Sequence, residues 1–180
     1  MNISIKSAVR AACLALLFIC RAILRKIWTF KVRITCGSCG KDLTVNFRSH
    51  AGQNVHLGRN VNFNGMHISP GGKVTIGDNF HSGKNCQIIV QYHNYEQGRR
   101  MPYDNTYINK PVTIEANVWI GHNVTILGGV TIGEGAVLQA CSVVVGDIPP
   151  LSVAGGNPAK NFKTRDKVHY YQLKSEGKFH

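Results

Sequence analysis

Acidic residues are scarce in this chain: nine Asp and Glu stand against 21 Lys and Arg in 180 residues, a formal charge of +12. The shortage is uneven. Residues 1–50 hold Asp42 as their one acid against nine cations: Lys6, Arg10, Arg21, Arg25, Lys26, Lys31, Arg33, Lys41 and Arg48. The stretch from Leu151 adds Lys160, Lys163, Arg165, Lys167, Lys174 and Lys178 against Asp166 and Glu176. So one-sided a balance suits an anionic partner: a nucleic acid, an anionic membrane or a phosphorylated ligand. Nucleic acid is not expected, because no helix-turn-helix, RNP-like or zinc-finger pattern is present.

A second cysteine pair is also lacking. Cys36 and Cys39 form a CxxC, but structural zinc takes four ligands and nothing at finger or ribbon spacing completes the set, so no metal is expected. Cys13, Cys20, Cys86 and Cys141 lie in apolar or repeated segments, where a free thiol packs as a small hydrophobe. Reduced thiols point to the cytoplasm.

Long apolar runs are missing too. The longest, residues 11–20, has ten residues, where a bilayer span takes about twenty. Arg21, Arg25 and Lys26 follow it without a small-x-small site, which argues against a cleaved signal. Residues 1–33 read as a helix. Lys6, Arg10, Arg21 and Arg25 fall in one sector of about 100°, shared with Leu14, Leu17 and Phe18. Two placements fit it. The helix lies on the inner face of an anionic membrane, a peripheral contact through residues 1–30 with its cations snorkelling to phosphates. Alternatively it packs on the rest of the protein or on a sister subunit.

What the chain has in plenty is glycine, 19 residues, and a repeat of six. From Val112 the text divides at Val118, Val124, Val130, Ala136, Ser142 and Ile148. Earlier hexads open at Val55, Val61, Val74, Phe80 and Cys86. An aliphatic residue at each sixth position points inward along one edge of a prism, the next two complete a short extended face, and Gly or Asn turns the corner. Three hexads close a coil, and stacked coils pair their strands in parallel. Residues 34–165 therefore form an all-β solenoid, and 166–180 a short helical tail. The repeat breaks once, over 89–110, in a loop rich in His, Asn, Tyr, Asp and Arg; a long loop interrupting a solenoid is usually functional.

Several strings carry a family resemblance: Trp119-Ile120-Gly121, Gly129-Val130-Thr131-Ile132-Gly133, Ser142-Val143-Val144, Asp147-Ile148-Pro149-Pro150 and Gly155-Gly156-Asn157-Pro158-Ala159-Lys160. With them the chain resembles the hexapeptide-repeat acyltransferases, in the sugar O-acetyltransferase branch related to the maltose and galactoside acetyltransferases. The loop looks like that family's protruding active-site loop. Asn62-Phe63-Asn64-Gly65, His81-Ser82-Gly83, His93-Asn94-Tyr95 and Pro102-Tyr103-Asp104 resemble a branch associated with cell-surface polysaccharide modification. The resemblance implies a left-handed parallel β-helix, a homotrimer with active sites between subunits, acetyl-CoA as acyl donor and a sugar or saccharide acceptor.

It also assigns residues. His93 takes the place of the catalytic histidine, which suits imidazole as the general base a sugar hydroxyl needs. The backbone N–H of His122 would meet the oxyanion. Trp119 would wall the thioester, with Ala140 and Ser142 along the cofactor groove and Lys160, Lys163 and Arg165 on the coenzyme phosphates. Asn64 and Asn94 are candidates to orient His93 or bind the acceptor, and Tyr95, Tyr103, Asp104 and Glu96 to bond sugar hydroxyls. His50, His56 and His67 read as structural, whereas His81 precedes the loop by less than one coil and is expected to reach the cleft. Two departures bear on the groove: Gln139-Ala140-Cys141-Ser142 replaces the family's Gly-Ala-Gly-Ser, and Val145-Gly146 replaces its Thr-Lys. Two other readings share the solenoid. Zinc carbonic anhydrases use three histidines between subunits, but the expected close histidine pair is missing here. A non-enzymatic scaffold would bind no acetyl-CoA.

Overall fold

The computed structural model describes residues 2–180, with side chains from Ser7 onward; Lys6 of the basic sector lies outside those described side chains. Each hexad turns two residues inward rather than one. Val112 and Ile114, Val118 and Ile120, Val124 and Ile126, and Val130 and Ile132 are all at most 2% exposed. The residue between each pair faces out, as Thr113, Trp119 and Thr131 do, because alternate side chains of an extended strand point to opposite sides. Burying each such aliphatic contributes about 1.5–3 kcal/mol, and the core they form runs the length of the solenoid.

The coils stack as a prism with three faces. The first carries Ser38–Cys39, Val55–Leu57, Val74–Ile76, Val112–Ile114 and Thr131–Ile132, all parallel neighbours. Asn62–Ile68 and His81–Ile89 each run along the second face and on into the third. Thr44–Phe47, Trp119–Ile120, Val137–Leu138 and Ser152–Gly156 complete the second, and Thr125–Leu127 and Val143–Val144 the third. Asn60, Asn79 and Asn117 turn the first corner at φ of 53°, 55° and 61°. Asn tolerates this left-handed conformation because its short side chain finds local bonds. Here those bonds climb the corner: Asn60 Nδ2 donates to Asn79 Oδ1 (3.0 Å), and Asn79 Nδ2 to Asn117 Oδ1 (2.8 Å).

Helix α1 spans Asn2–Thr35, so the helix outlasts its ten-residue apolar run. Arg21, Arg25 and Lys26, which end that run, are good helix formers and propagate the turn. By length and composition Ser7–Thr35 suffices to cross a membrane, an ability that the short run alone does not suggest. The last turns of α1 close the base of the prism. Thr29 Oγ1 accepts the N–H of Val45 (3.0 Å), Thr35 Oγ1 donates to the Ala51 carbonyl (2.7 Å), and Val32 is buried between them. At the other end α2, Lys167–Ser175, starts on Asp166, whose carboxylate accepts the His169 N–H.

Candidate active site

The singled-out residues gather at three separate places. The first is the loop, whose neck closes where Lys110 N–H donates to the Val90 carbonyl (2.9 Å). Its base is an antiparallel hairpin of Gln91–His93 and Tyr107–Asn109, with His93 opposite Tyr107. Tyr92 pins the hairpin to the next coil: its hydroxyl donates to the Ile89 carbonyl (3.1 Å) and accepts the Gly128 N–H (2.6 Å). The His93 ring is stacked on Tyr103 (centroids 3.7 Å, planes 14° apart) and tilted against Tyr107 at 4.8 Å. Its Nδ1 is buried without a partner among the described residues, while Nε2 stays open. Leaving a buried polar atom unpaired costs about 1–3 kcal/mol, and His81 Nε2 shares this state. Tyr107 was missed in the sequence, since only the hairpin register places it beside His93.

Other loop candidates serve the loop itself. Asn94 Oδ1 accepts the Gln97 N–H (3.1 Å). Asp104 accepts from the Thr106 hydroxyl and N–H and from the Arg99 N–H (2.6–2.9 Å), and these bonds, the Thr106 hydroxyl first, hold its carboxyl below the usual range. Both side chains are occupied in shaping the tip. Tyr95 and Tyr103 are both exposed.

The second place is the corner between the second and third faces. Asn64, Lys84, His122 and Ala140 follow one another there up successive coils. Asn64 Nδ2 donates to the Ser82 carbonyl (2.6 Å) and its Oδ1 accepts from Asn46 (2.9 Å). His122 Nδ1 accepts the Lys84 N–H (2.7 Å), fixing the ring to the coil below. The His122 N–H itself has no partner among the described residues. The coils close tightly here: a Cβ on Gly83 would fall 2.5 Å from His122 N, and one on Gly121 2.5 Å from Ala140 N. Lys84 was not singled out, although it occupies the same repeat position as His122, one residue before a left-handed Asn. Gln139 lies folded against Gly155, and Cys141 stands exposed at φ 61° where the coils below have Asn85 and Asn123. Cys141, Cys13 and Cys20 are thus surface thiols rather than packed ones.

The third place is the second face itself. His81, Trp119 and Val137 share one row, and Trp119 is exposed. The row floors a cleft of about 400 Å³ roofed by the chain's own C-terminal segment, including Tyr170, Leu173 and His180. His81 does not reach the loop. Its ring meets that of His180 edge-on at 5.2 Å, and burial, followed by the His180 charge, lowers its pKa.

Two of the residues assigned to the cofactor are engaged in packing. Ser142 is fully buried; its hydroxyl donates to the Gln139 carbonyl (2.7 Å) and accepts the Gly156 N–H (3.2 Å), clipping a corner. Arg165 donates to the Gly135 carbonyl (2.8 Å) and lies over the Tyr170 ring, so it docks α2. Lys160 and Lys163 stand exposed on Ala159–Thr164, the antiparallel partner of Ser152–Gly156.

His93 and His122 leave the prism at neighbouring corners. The strand Thr125–Leu127 lies between the His122 corner and the Gly128 corner that pins the hairpin. Among the described residues no group of three or more His, Cys, Asp or Glu could hold a metal ion. Burial, with Cys39 next, pushes the Cys36 thiol up to about 11 and keeps it protonated.

A family model described as bacterial transferase hexapeptide (six repeats) matches residues 111–146. The galactoside O-acetyltransferase of Escherichia coli (strain K12) is 42% identical over 126 residues, 67% of this chain and 61% of the relative. The chain thus spans about three-fifths of that curated relative's length. A crystal structure of a hexapeptide-repeat acetyltransferase from Vibrio cholerae superimposes with TM-score 0.66 at 35% identity, over 74% of this chain and 77% of the other. A galactoside acetyltransferase solved in complex with coenzyme A gives 0.67 at 34%, over 77% and 70%.

Proposed function

The chain belongs to the hexapeptide-repeat acetyltransferases, built on a left-handed parallel β-helix, and on that footing we propose that it moves an acetyl group from acetyl-CoA to a saccharide hydroxyl. The observation that carries the reading is His93: an imidazole gripped between two tyrosine rings on a hairpin that leaves the prism, with Nε2 open. A sugar hydroxyl is a poor nucleophile at neutral pH until a base takes its proton. In this reading Nε2 accepts that proton as the oxygen attacks the thioester carbonyl. The carbon–sulfur bond then breaks, and the sulfur leaves as coenzyme A with the proton from His93. The acetyl group passes directly to the acceptor. Cys86 offers no rival nucleophile, since burial raises its pKa and its thiol donates to the Gly121 carbonyl (3.1 Å).

The remaining parts come from a second copy. The unpartnered His122 N–H points to an oxyanion donor, and Trp119 is an exposed apolar wall one hexad-face along; His93 of the same chain is a full prism face away. A threefold assembly that sets the hairpin of one copy against the His122 corner of the next would complete each site, and the partnerless Nδ1 of His93 supports it. Lys160 and Lys163 would meet coenzyme phosphates. That the related galactoside enzyme was solved with coenzyme A supports the donor.

The test is thiol release from acetyl-CoA with a panel of sugars and cell-surface oligosaccharides. Wild type turns over only with an acceptor, and His93→Ala lowers the rate by roughly 10²–10⁴, as loss of a general base does. A folded assembly that neither binds acetyl-CoA nor transfers to any saccharide would instead support the scaffold, with Gln139 lying across the groove.

A further inference from the structure

The base-capping geometry fixes how α1 is aimed. In a solenoid the backbone groups of the first coil that face away from the second coil have no partner, and a cap must supply one. Thr44 N–H donates up to the Val61 carbonyl, so the neighbouring Val45 N–H points down and meets Thr29. Ala51, at the far end of the third face, likewise turns its carbonyl down to Thr35. Thr29 serves one face and Thr35 another, so the helix axis crosses the prism end rather than continuing the prism axis.

On the opposite side of α1, Leu16, Ile19, Ile23, Ile27, Phe30 and Ile34 recur at the helical period, and each is at least 50% exposed. At about 100° per residue their mean direction lies nearly 180° from Thr29, Val32 and Thr35. The stripe therefore points away from the solenoid, and it continues under the solenoid through Ile27, Phe30 and Ile34. Leu14, Leu17 and Phe18, which turn toward the solenoid side of the helix, are exposed as well. Lys26 and Arg33 flank the stripe on one side and Lys31 on the other, while Arg10, Arg21 and Arg25 turn toward the solenoid side. Asn2–Thr35 contains no acidic residue.

We propose that α1 lies flat in the interface of an anionic phospholipid leaflet, stripe down, so that the prism stands on the membrane with its base toward the bilayer. The apolar stripe enters the acyl boundary and the flanking cations reach phosphates, the arrangement of interfacial helices. Nothing in this depends on acetyl transfer.

The full chain is floated with vesicles of phosphatidylcholine alone and of phosphatidylcholine with phosphatidylglycerol. It rises with the anionic vesicles, and added salt weakens the association. Ile23→Ser with Phe30→Ser abolishes flotation yet leaves transfer to a soluble sugar intact, because both side chains are more than half exposed. Removing Lys26, Lys31 and Arg33 as glutamines lowers partition about fivefold for each cation. Epitopes at both ends of the chain are cut by protease added outside sealed vesicles. Protection of one end alone means that α1 spans, and overturns the proposal. Equal flotation with neutral vesicles removes the anionic component and overturns it too. So does an absence of flotation in which Ile23→Ser with Phe30→Ser instead lowers the mass of the soluble assembly, since the stripe is then a seam between copies. Loss of transfer in an otherwise floating wild type strikes only the catalytic reading.

Discussion

Cys141 sits in a backbone conformation that suits its neighbours and not itself. At φ 61° it repeats the turn made by Asn85 and Asn123 in the coils below, but its thiol gets only a 4.0 Å approach from Asn123 Nδ2. The left-handed region costs most L-residues roughly 1–2 kcal/mol, a cost that Asn partly escapes by local bonding. Cys141→Asn is expected to raise stability by about 1 kcal/mol, seen as a rise of roughly 2–4 °C in the thermal midpoint. His93 shows the reverse economy. Its ring is stacked on Tyr103 and tilted against Tyr107, yet neither nitrogen has a bond among the described residues, so the local fold has fixed its direction and left its chemistry open.

Among the elements, α2 is held by one carboxylate. Glu134 accepts from Tyr170 (2.7 Å), Lys174 (2.6 Å) and Asn117 (3.4 Å). Burial pushes its pKa up, but the Lys174 and Tyr170 bonds outweigh burial and the net displacement is downward. A carboxylate depressed in the folded state stabilises above the ordinary glutamate range and loses that contribution as pH falls through its folded value. The docking of α2 should therefore weaken as the pH falls through and below the ordinary glutamate range, and Glu134→Gln should flatten that acid limb in a pH series of unfolding midpoints. Buried Tyr170 is pushed up to about 12, burial first and Glu134 second, and keeps its proton throughout. The coils were plain in the sequence because a period of six has no other source here, and their inward residues fall where the valines and isoleucines recur. The grip on α2 was not legible, since Asn117, Glu134 and Tyr170 meet only through coil stacking. The N-terminal helix was legible, since residues 1–33 read as one; what its charges hid from a search for apolar runs is that its length suffices to cross a membrane. The place of His81 was not legible either, since nearness to the loop in sequence does not reveal that coil stacking sets it in one row with Trp119.

At the scale of the whole molecule, the catalytic reading needs more than one chain. His93→Ala and Trp119→Ala variants each carry one half of the proposed site. Mixed after dissociation and reassembled in equal amounts, they should recover about a quarter of wild-type activity at low acetyl-CoA, because one interface in four then joins an intact His93 to an intact Trp119. No recovery would place both residues' work within a single copy. The order of the coils carries one more consequence. The hairpin leaves between the strands Val74–Ile76 and Val112–Ile114, three coils above the base. At about 4.8 Å per coil, with roughly 10 Å more for the helix beneath, the proposed reaction centre stands about 25 Å above the leaflet on which α1 would rest. That elevation makes the protein a gauge of length. A hydroxyl beside a lipid phosphate would lie below its reach, and a membrane-tethered acceptor would have to carry several sugars before one rose to meet His93.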